Sequence, residues 1–238
     1  MGERAPHRRT LVILGAGGFG GEVLQYLRDA TRGAPGVEIR AFYDDRPDDV
    51  DPAACDGVPM LGTITSYLPE PDDEVLVAIG DPVIRTRVIN EVRDRGAKFF
   101  DLIHPTAFIA TTATIGNGCI IGPFCAVGNR AVIGDHVVMP WYASAAHDAT
   151  VGSFAVFSPY STVNGGASLG EGAFLGTHAV VNPLQSVGAW AKVAAGSVVY
   201  REVPPGQLAL GNPARARPMM HDATNGSNGV TDGLARTS

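Results

Sequence analysis

The stretch IATTATIGNGCIIGPFCAVGNRAVIG, residues 109–134, carries an apolar residue at every sixth position. The same period continues to residue 199, so that sixteen consecutive sixth positions are apolar. The residue after each apolar one is most often glycine, and the residue four positions after it is usually small. A fixed short period of this kind is the signature of a solenoid.

Each hexapeptide is predicted to form a short strand and a corner, in which the apolar side chain points inward and the glycine adopts unusual corner dihedral angles. Three such sides close a triangular coil of eighteen residues, so residues eighteen apart should stack on each other. One coil can bury its apolar face only against the next, and five coils fit into this run. We therefore predict an all-β parallel β-helix.

The composition is that of an ordinary soluble protein. Its 238 residues leave room for one or two domains, and 45% of them are hydrophobic. The formal net charge of -6 gives no broad attraction for nucleic acid or for an anionic membrane. No apolar run is long enough to cross a bilayer, and residues 1–9 are too polar to lead into a signal peptide. We expect a cytoplasmic protein with no nucleic-acid or membrane partner.

The cysteines Cys55, Cys119 and Cys125 are odd in number and lack the spacing of metal ligands. Two of them occupy the small inward position of consecutive hexapeptides. We predict that they are buried thiols of the core, and the sequence predicts no metal site.

The sequence before the repeats predicts a small α/β domain. A strand at 10–14 leads into the glycine turn GAGGFG and a helix at 21–30, and a second strand at 37–43 ends in Asp44 and Asp45. Such glycines let backbone amides at a helix start approach a phosphate, and an acid in this place binds a ribose or a base. The alternative is a tight turn that only packs the helix on the sheet.

A further strand at 74–79, a helix at 83–95 and a last strand near 98–103 complete only about half of a dinucleotide-binding fold. We predict a Rossmann-like domain over 1–104 that suits a nucleotide-linked ligand better than a nicotinamide. His104-Pro105 marks the junction to a β-helix domain at 105–217. The polar residues 218–238 are predicted to be a disordered tail.

His147 is the strongest candidate for chemistry. It stands in SAAHD, residues 144–148, where the corner glycines of the repeat are replaced. Stacking by eighteen places Asn129 beneath it and Gly165 above it, which leaves room for a ligand. The adjacent Asp148 could orient the imidazole and favour the protonated form that a general base reaches when it accepts a proton. The alternative is a corner histidine that is merely exposed to water.

Two other histidines have different predicted roles. His136 lies at a corner without polar company, so we predict a solvated turn residue. His178 falls in a column with Phe124, Tyr142 and Tyr160, eighteen residues apart. Such an aromatic ladder usually serves packing, and on a flat outer face it could line a contact between subunits.

Six motifs of the chain are together highly specific: GAGGFG at 15–20, FYDD at 42–45, VAIG at 77–80, LIHP at 102–105, SAAHD at 144–148 and LGNPA at 210–214. On these motifs the chain resembles, over roughly residues 10–217, the left-handed β-helix acyltransferases of the sialic-acid O-acetyltransferase and UDP-4-amino-sugar N-acetyltransferase group. The resemblance implies left-handed coils, a homotrimer, and acetyl-CoA bound as acyl donor in the groove between neighbouring solenoids. It also implies that the N-terminal domain holds the nucleotide of a nucleotide-sugar.

The resemblance further implies a function and residue roles. The chain would be an acyl-CoA-dependent enzyme that moves an acetyl group to the amine or hydroxyl of a nucleotide-linked sugar. His147 would be the general base, Asp148 would strengthen it, and a backbone amide near Gly165-Gly166 would stabilise the oxyanion. The implied coenzyme contacts are Val156, Gly165, Gly166, Gly176, Thr177 and Ala195. The implied substrate contacts are Gly17, Gly18, Phe19, Asp44, Asp45 and Gly80.

Two departures from the family pattern keep alternatives open. Pro140, followed by Trp141 and Tyr142, stands where the family often has an asparagine near the acceptor. Val156 stands where the family can have a histidine that contacts the coenzyme. One alternative is therefore an O-acyltransferase that acts on a non-nucleotide sugar or a specialised metabolite. Another is a non-catalytic nucleotide-sensing trimer.

Overall fold

The computed structural model describes residues 9–34 and 36–219. The first part of the chain forms a parallel five-stranded sheet with a helix on each face. Its strands are β1 (Arg9–Leu14), β2 (Val37–Tyr43), β3 (Met60–Gly62), β4 (Asp73–Val77) and β5 (Lys98–Phe99), and its helices are α1 (Gly18–Ala30) and α2 (Pro82–Asp94). Single 3-10 turns lie at Pro47–Asp49, Pro52–Cys55 and Ile64–Ser66. The order across the sheet is β3-β2-β1-β4-β5.

The central strands are buried on both faces, because α1 covers one face and α2 covers the other. The helix α2 begins one residue earlier than the sequence predicts, since Pro82 takes the first helical position and Asp81 caps it. The Asp81 carboxylate accepts hydrogen bonds from the backbone N–H groups of Val83 and Ile84, at 2.9 and 3.0 Å. The edge strand β3 is too short and irregular to be visible in the sequence pattern.

The chain then winds into a parallel β-helix whose sides are almost all two residues long. Its strands are β6 (Leu102–Ile103), β7 (Phe108–Ile109), β8 (Thr114–Ile115), β9 (Ile120–Ile121), β10 (Ala126–Val127), β11 (Val132–Ile133), β12 (Val138–Met139), β13 (Ser144–Ala145), β14 (Thr150–Val151), β15 (Val156–Phe157), β16 (Thr162–Val163), β17 (Ser168–Leu169), β18 (Phe174–Leu175), β19 (Val180–Val181), β20 (Ser186–Val187), β21 (Lys192–Val193), β22 (Val198–Val199), β23 (Gln207–Leu210) and β24 (Arg215–Pro218).

These strands form three sheets. Sheet 1 contains β6, β9, β12, β15, β18 and β21 with β23 and β24 at its end; sheet 2 contains β7, β10, β13, β16, β19 and β22; and sheet 3 contains β8, β11, β14, β17 and β20. Strand partners are eighteen residues apart, as in the pairing of Ala126 with Ser144, so the predicted coil length is confirmed. The second residue of nearly every strand points into a continuous apolar core.

The corner glycines serve close packing and not unusual dihedral angles, so that part of the prediction is wrong. A Cβ on Gly128 would lie 2.6 Å from the backbone nitrogen of His147 in the next coil, and none of these glycines has a positive φ. The left-handed conformation falls two residues later, where Arg130 has φ 57° and Asp148 has φ 60°. At the corners that carry glycine, the adjacent backbone leaves no space for a side chain.

The predicted strand near 98–103 is in fact two strands in two different sheets. Lys98–Phe99 pairs with β4, whereas Leu102–Ile103 pairs with β9 and forms the first rung of sheet 1. The β-helix thus begins before His104. At the other end, β23 pairs with β21 and turns back into β24, which confirms an ordered segment folded on the last coil. The predicted disordered tail lies outside the described residues, except for its first two.

The α/β domain packs on the outer face of sheet 1. The outward residues Ile120, Val138 and Val156 share one apolar cluster with Leu24 and Tyr26 of α1. Within the described part of the chain, no helix is long and apolar enough to cross a membrane.

Candidate active site

His147 and Asp148 form the corner between β13 and β14, where the chain passes from sheet 2 to sheet 3. The Nδ1 atom of His147 lies 2.8 Å from Oδ2 of Asp148, and the imidazole is 68% exposed. Among the described residues, Nε2 of His147 has no hydrogen-bond partner. The contact with Asp148 places the free electron pair of a neutral ring on Nε2, which is the arrangement of a general base.

Arg130, which the sequence analysis missed, holds Asp148 from the coil below. Its Nε donates to Oδ1 at 2.7 Å and its Nη2 donates to Oδ2 at 2.9 Å. These two hydrogen bonds, followed by the one from His147, lower the pKa of Asp148 to about 2. Arg130 stands eighteen residues before Asp148, so the coil length could have identified it.

Gly165 lies one coil above His147 and leaves the space over the ring open. A Cβ on Gly165 would lie 2.6 Å from Nε2 of His147. The N–H of the next residue, Gly166, already donates to the carbonyl oxygen of His147 at 3.0 Å. The N–H of Gly165 has no partner in the described residues, so it is the available donor at this turn. Asn129 lies in the coil below, as the stacking predicted, but its backbone carbonyl accepts from the N–H of Asp148 at 2.9 Å and its side chain accepts from Thr112.

The glycine turn after β1 meets the carboxyl ends of β2 and β4 at one edge of the α/β sheet, where the strand order reverses. Asp44 braces the turn, because its Oδ2 accepts from the N–H of Ala16 at 2.8 Å. Asp45 beside it is exposed. The helix α1 starts at the turn without a side-chain cap, which leaves its first N–H groups available to an anion.

The glycines of this turn fall into two groups. Gly15 has φ 99°, and a Cβ on Gly20 would lie 2.2 Å from the carbonyl oxygen of Gly15, so both are needed for the turn itself. In contrast, a Cβ on Gly17, Gly18 or Gly80 would meet nothing within 4 Å. Packing does not explain these three glycines, whereas the close approach of a ligand would.

A cavity of about 220 Å³ opens between the α/β domain and the β-helix. It is lined by Phe19, Glu22 and Gly80 from the first domain and by Val138, Pro140, Val156, Phe157, Ser158, Pro159 and Phe174 from sheet 1 and its corner with sheet 2. Glu22 is the only ionisable residue of this lining. Next to the cavity, Trp141 packs edge to face on Tyr26 with a centroid separation of 6.3 Å.

The residues implied as coenzyme contacts lie in two places. Gly165 and Gly166 adjoin His147. Gly176, Thr177 and Ala195 lie on the corner between sheets 1 and 2, where a Cβ on Gly176 would be 2.5 Å from the nitrogen of Ala195. Thr177 and Ala195 are exposed there. Val156 is only 3% exposed and packs towards α1, so it reaches open space only at the cavity.

A single chain does not bring all of these residues together. The glycine turn, the cavity and the Gly176 corner lie around sheet 1, whereas His147 lies on the corner between sheets 2 and 3. The aromatic ladder Phe124, Tyr142, Tyr160 and His178 occupies the corner between sheets 1 and 2, and its successive rings stack with centroids 4.8 to 5.0 Å apart. The predicted ladder is therefore present, while its role in a subunit contact stays a prediction.

His136 is not a solvated turn residue, and that prediction is wrong. The side chain is buried between α2 and the β-helix, with Nε2 2.7 Å from Nη2 of Arg93 and the ring against Phe99 and Phe154. Its backbone carbonyl accepts a hydrogen bond from the buried guanidinium of Arg85. Burial and these two arginines lower the pKa of His136 to about 4.

The three cysteines are free and buried, which confirms their assignment as core thiols. Burial raises the pKa of Cys119 to about 11 and that of Cys125 to about 12. Over residues 9–34 and 36–219, no group of three or more histidine, cysteine or acidic side chains could hold a metal ion.

Comparison with known protein families gives two matches. Residues 10–92 match the PglD N-terminal domain, and residues 102–139 match the bacterial transferase hexapeptide family of six repeats. No curated protein matches the chain by sequence at a significant level.

Solved structures match over both parts of the chain. PerB from Caulobacter crescentus, solved with CoA and GDP-perosamine, is 33% identical with a TM-score of 0.78, and the match covers 87% of this chain and 97% of that one. The acetyltransferase domain of PglB from Neisseria gonorrhoeae FA1090 is 29% identical with a TM-score of 0.78, covering 88% and 100%. WeeI from Acinetobacter baumannii AYE is 27% identical with a TM-score of 0.78, covering 88% and 100%. The predicted fold class, an α/β domain followed by a left-handed parallel β-helix, is confirmed.

Proposed function

The chain belongs to the left-handed β-helix sugar acetyltransferases that join a PglD-type N-terminal domain to hexapeptide repeats, and from this membership we propose that it acetylates the amine of a nucleotide-linked amino sugar. Acetyl-CoA is the acyl donor and supplies the acetyl thioester when bound. The relative from Caulobacter crescentus was solved with a nucleotide-linked amino sugar, which supports this class of acceptor.

The observation that carries the proposal is the free Nε2 of His147 below Gly165, with Asp148 on the other nitrogen. In the proposed reaction Nε2 takes a proton from the acceptor amine while the amine nitrogen bonds to the acetyl carbonyl carbon. Asp148 stabilises the imidazolium that results, and the N–H of Gly165 donates to the oxyanion. The carbon–sulfur bond then breaks, and His147 returns the proton to the departing sulfur.

The same corner also offers a place for the phosphates of the coenzyme. Arg201 follows His147 by fifty-four residues, which is three coils of eighteen, or about 14 Å along the axis at about 4.8 Å per coil. A cavity of about 520 Å³ at this end is lined by Tyr200, Arg201 and Arg215 among others. Two guanidinium groups suit phosphates there, while the thioester end reaches His147.

The acceptor lies in the cavity beside the glycine turn. The sugar of the acceptor faces Glu22 and Pro140. The nucleotide of the acceptor contacts Gly17, Gly18, Phe19, Asp44, Asp45 and Gly80. A carboxylate as the only ionisable group in a largely apolar lining favours an amine over a hydroxyl, because it can bind the ammonium form before that group loses a proton to solvent and reacts as the neutral amine. The lining therefore favours an N-acetyltransferase over the O-acyltransferase alternative.

Within a single chain, His147 and the cavity lie on different corners of the β-helix. We therefore propose that a second copy of the chain completes the site. A homotrimer would bring the His147 corner of one protomer to the Gly176 corner and cavity of its neighbour. Thr177 and Ala195 would then contact the coenzyme from the opposite side to Gly165 and Gly166.

The test is an assay of nucleotide-linked amino sugars with acetyl-CoA, read by mass spectrometry of the product, on the wild type and on His147→Ala. The variant should fold, assemble and bind acetyl-CoA as the wild type does, yet lose about 100-fold or more in kcat. Calorimetry and light scattering check binding and assembly. Full activity of the variant would contradict the proposed mechanism. If the wild type bound none of the nucleotide-sugars, the proposed class of acceptor would be wrong.

A further inference from the structure

We propose that Arg130 is a positioning residue of this site, which fixes the Asp148 carboxylate so that Asp148 can hold the ring of His147. The inference rests on the proposed function, because it assumes that His147 is the base. No bond to substrate is attributed to Arg130.

The contact has the geometry of a two-point clamp. The Nε and Nη2 atoms of Arg130 reach the two different oxygens of Asp148, at 2.7 and 2.9 Å, and Oδ2 also meets Nδ1 of His147 at 2.8 Å. A planar guanidinium that binds both oxygens fixes the plane of the carboxylate as well as its place. Since the carboxylate plane is fixed, the direction of its contact with the imidazole is fixed too.

The coil structure holds both ends of the clamp. Arg130 and Asp148 are consecutive members of one corner column, with φ of 57° and 60°. The N–H of Arg130 donates to Oγ1 of Thr112 at 3.0 Å, and the N–H of Asp148 donates to the Asn129 carbonyl at 2.9 Å. The two backbones therefore stand in fixed register, and the clamp is a property of the stacking.

Stability alone does not explain this pair. The Arg130 side chain is 68% exposed and that of Asp148 is 40% exposed, and an ion pair in such a place contributes little to the free energy of unfolding. His147 is itself 68% exposed in one chain, so few packing contacts hold its ring. Orientation of the ring is what the clamp supplies.

Arg130 also changes the net charge beside the imidazole of His147. Its positive charge offsets that of the Asp148 carboxylate, so loss of Arg130 leaves a freer negative charge beside the imidazole. Arg130→Lys keeps this positive charge but loses the two-point contact, so comparison with Arg130→Met separates the effect of the charge from that of the contact.

The first experiment compares Arg130→Met and Arg130→Lys in the full-length protein. We expect Arg130→Met to lower kcat by about 10- to 100-fold with both KM values within about twofold. Arg130→Lys should lower kcat less, because the charge remains. Arg87→Met, which removes an exposed ion pair with Glu91 on α2, is the matched control and should match the wild type.

The second experiment tests whether Arg130 acts through Asp148. If it does, the double variant Arg130→Met with Asp148→Asn should be no slower than Asp148→Asn alone, within about twofold. Multiplicative losses would overturn the proposal, and so would a raised KM for acetyl-CoA with kcat retained, since Arg130 would then bind the coenzyme. An active His147→Ala variant would defeat the proposed function itself, whereas a fully active Arg130→Met beside an inactive His147→Ala defeats only this inference.

Discussion

Gly165 stands directly over His147, so that a Cβ on Gly165 would lie 2.6 Å from the Nε2 atom of the ring. This closeness defines the space in which a reacting group could meet the base. It explains the first of the two successive glycines in the coil above the histidine, whereas the second, Gly166, takes the left-handed conformation with φ 65°.

Gly165→Ala should block the reaction without unfolding the chain. Gly165 does not have a positive φ, so an alanine fits the backbone, but its methyl group would occupy the space at Nε2 of His147. We expect kcat to fall by about 100-fold, because displacement of a base by about 1 Å has this effect. Steady-state kinetics measures the loss, and an unchanged melting temperature serves as the control. A kcat within about fivefold of wild type would show that the acceptor approaches His147 from another side.

Glu22→Gln should distinguish an amine acceptor from a hydroxyl acceptor. Glu22 lines the cavity, and its Oε2 accepts from the Tyr26 hydroxyl at 3.2 Å, a hydrogen bond that an amide oxygen can replace. We expect Kd for an amino sugar to rise by about tenfold, while Kd for the matching hydroxyl sugar stays within about twofold.

Calorimetry with the two nucleotide-sugars gives the comparison, and Glu91→Gln on the exposed face of α2 is the control substitution. If the binding of both sugars weakened equally, Glu22 would maintain the shape of the cavity and would not recognise the amine.

The buried His136 should make the protein less stable in weak acid. Its folded-state pKa of about 4 lies below the ordinary value of 6.5, so the unfolded chain binds more protons between these two values. The stabilisation is complete above pH 6.5 and is lost as pH falls towards 4. We expect a loss on the order of 1 to 2 kcal/mol from this residue, measured as the free energy of unfolding in urea at several pH values.

His136→Gln provides the comparison, because it keeps a polar group near Arg93 but does not titrate. Its stability should depend less on pH over the same window, although it is lower at neutral pH. If the wild type and this variant lost stability in parallel, the pH dependence would come from other groups.

Counting by eighteen predicted much of the β-helix and part of the candidate site. It placed Gly165 above His147 and gathered the aromatic ladder on one corner, because a solenoid converts sequence distance into spatial distance. The same count connects Arg130 with Asp148, since the two residues are eighteen apart.

The missed features depend on contacts between domains. The corner position of His136 suggested exposure, but α2 covers that corner with Arg85 and Arg93. In the same way, residues 98–103 read as one apolar strand, whereas Leu102 has a better partner in β9 than in the α/β sheet. The hexapeptide period carries no information about which outer face another domain will cover.

The three coils between His147 and Arg201 fix the distance between these two residues. Removal of part of a coil would break the eighteen-residue stacking of the strands, so the separation of these two residues can change only by whole coils of about 4.8 Å. Insertion of one eighteen-residue coil would leave both ends chemically intact and yet mismatch them to a donor of fixed length. If the coenzyme lies along this corner as proposed, the number of coils, as well as the identity of the side chains, sets the length of the donor that fits.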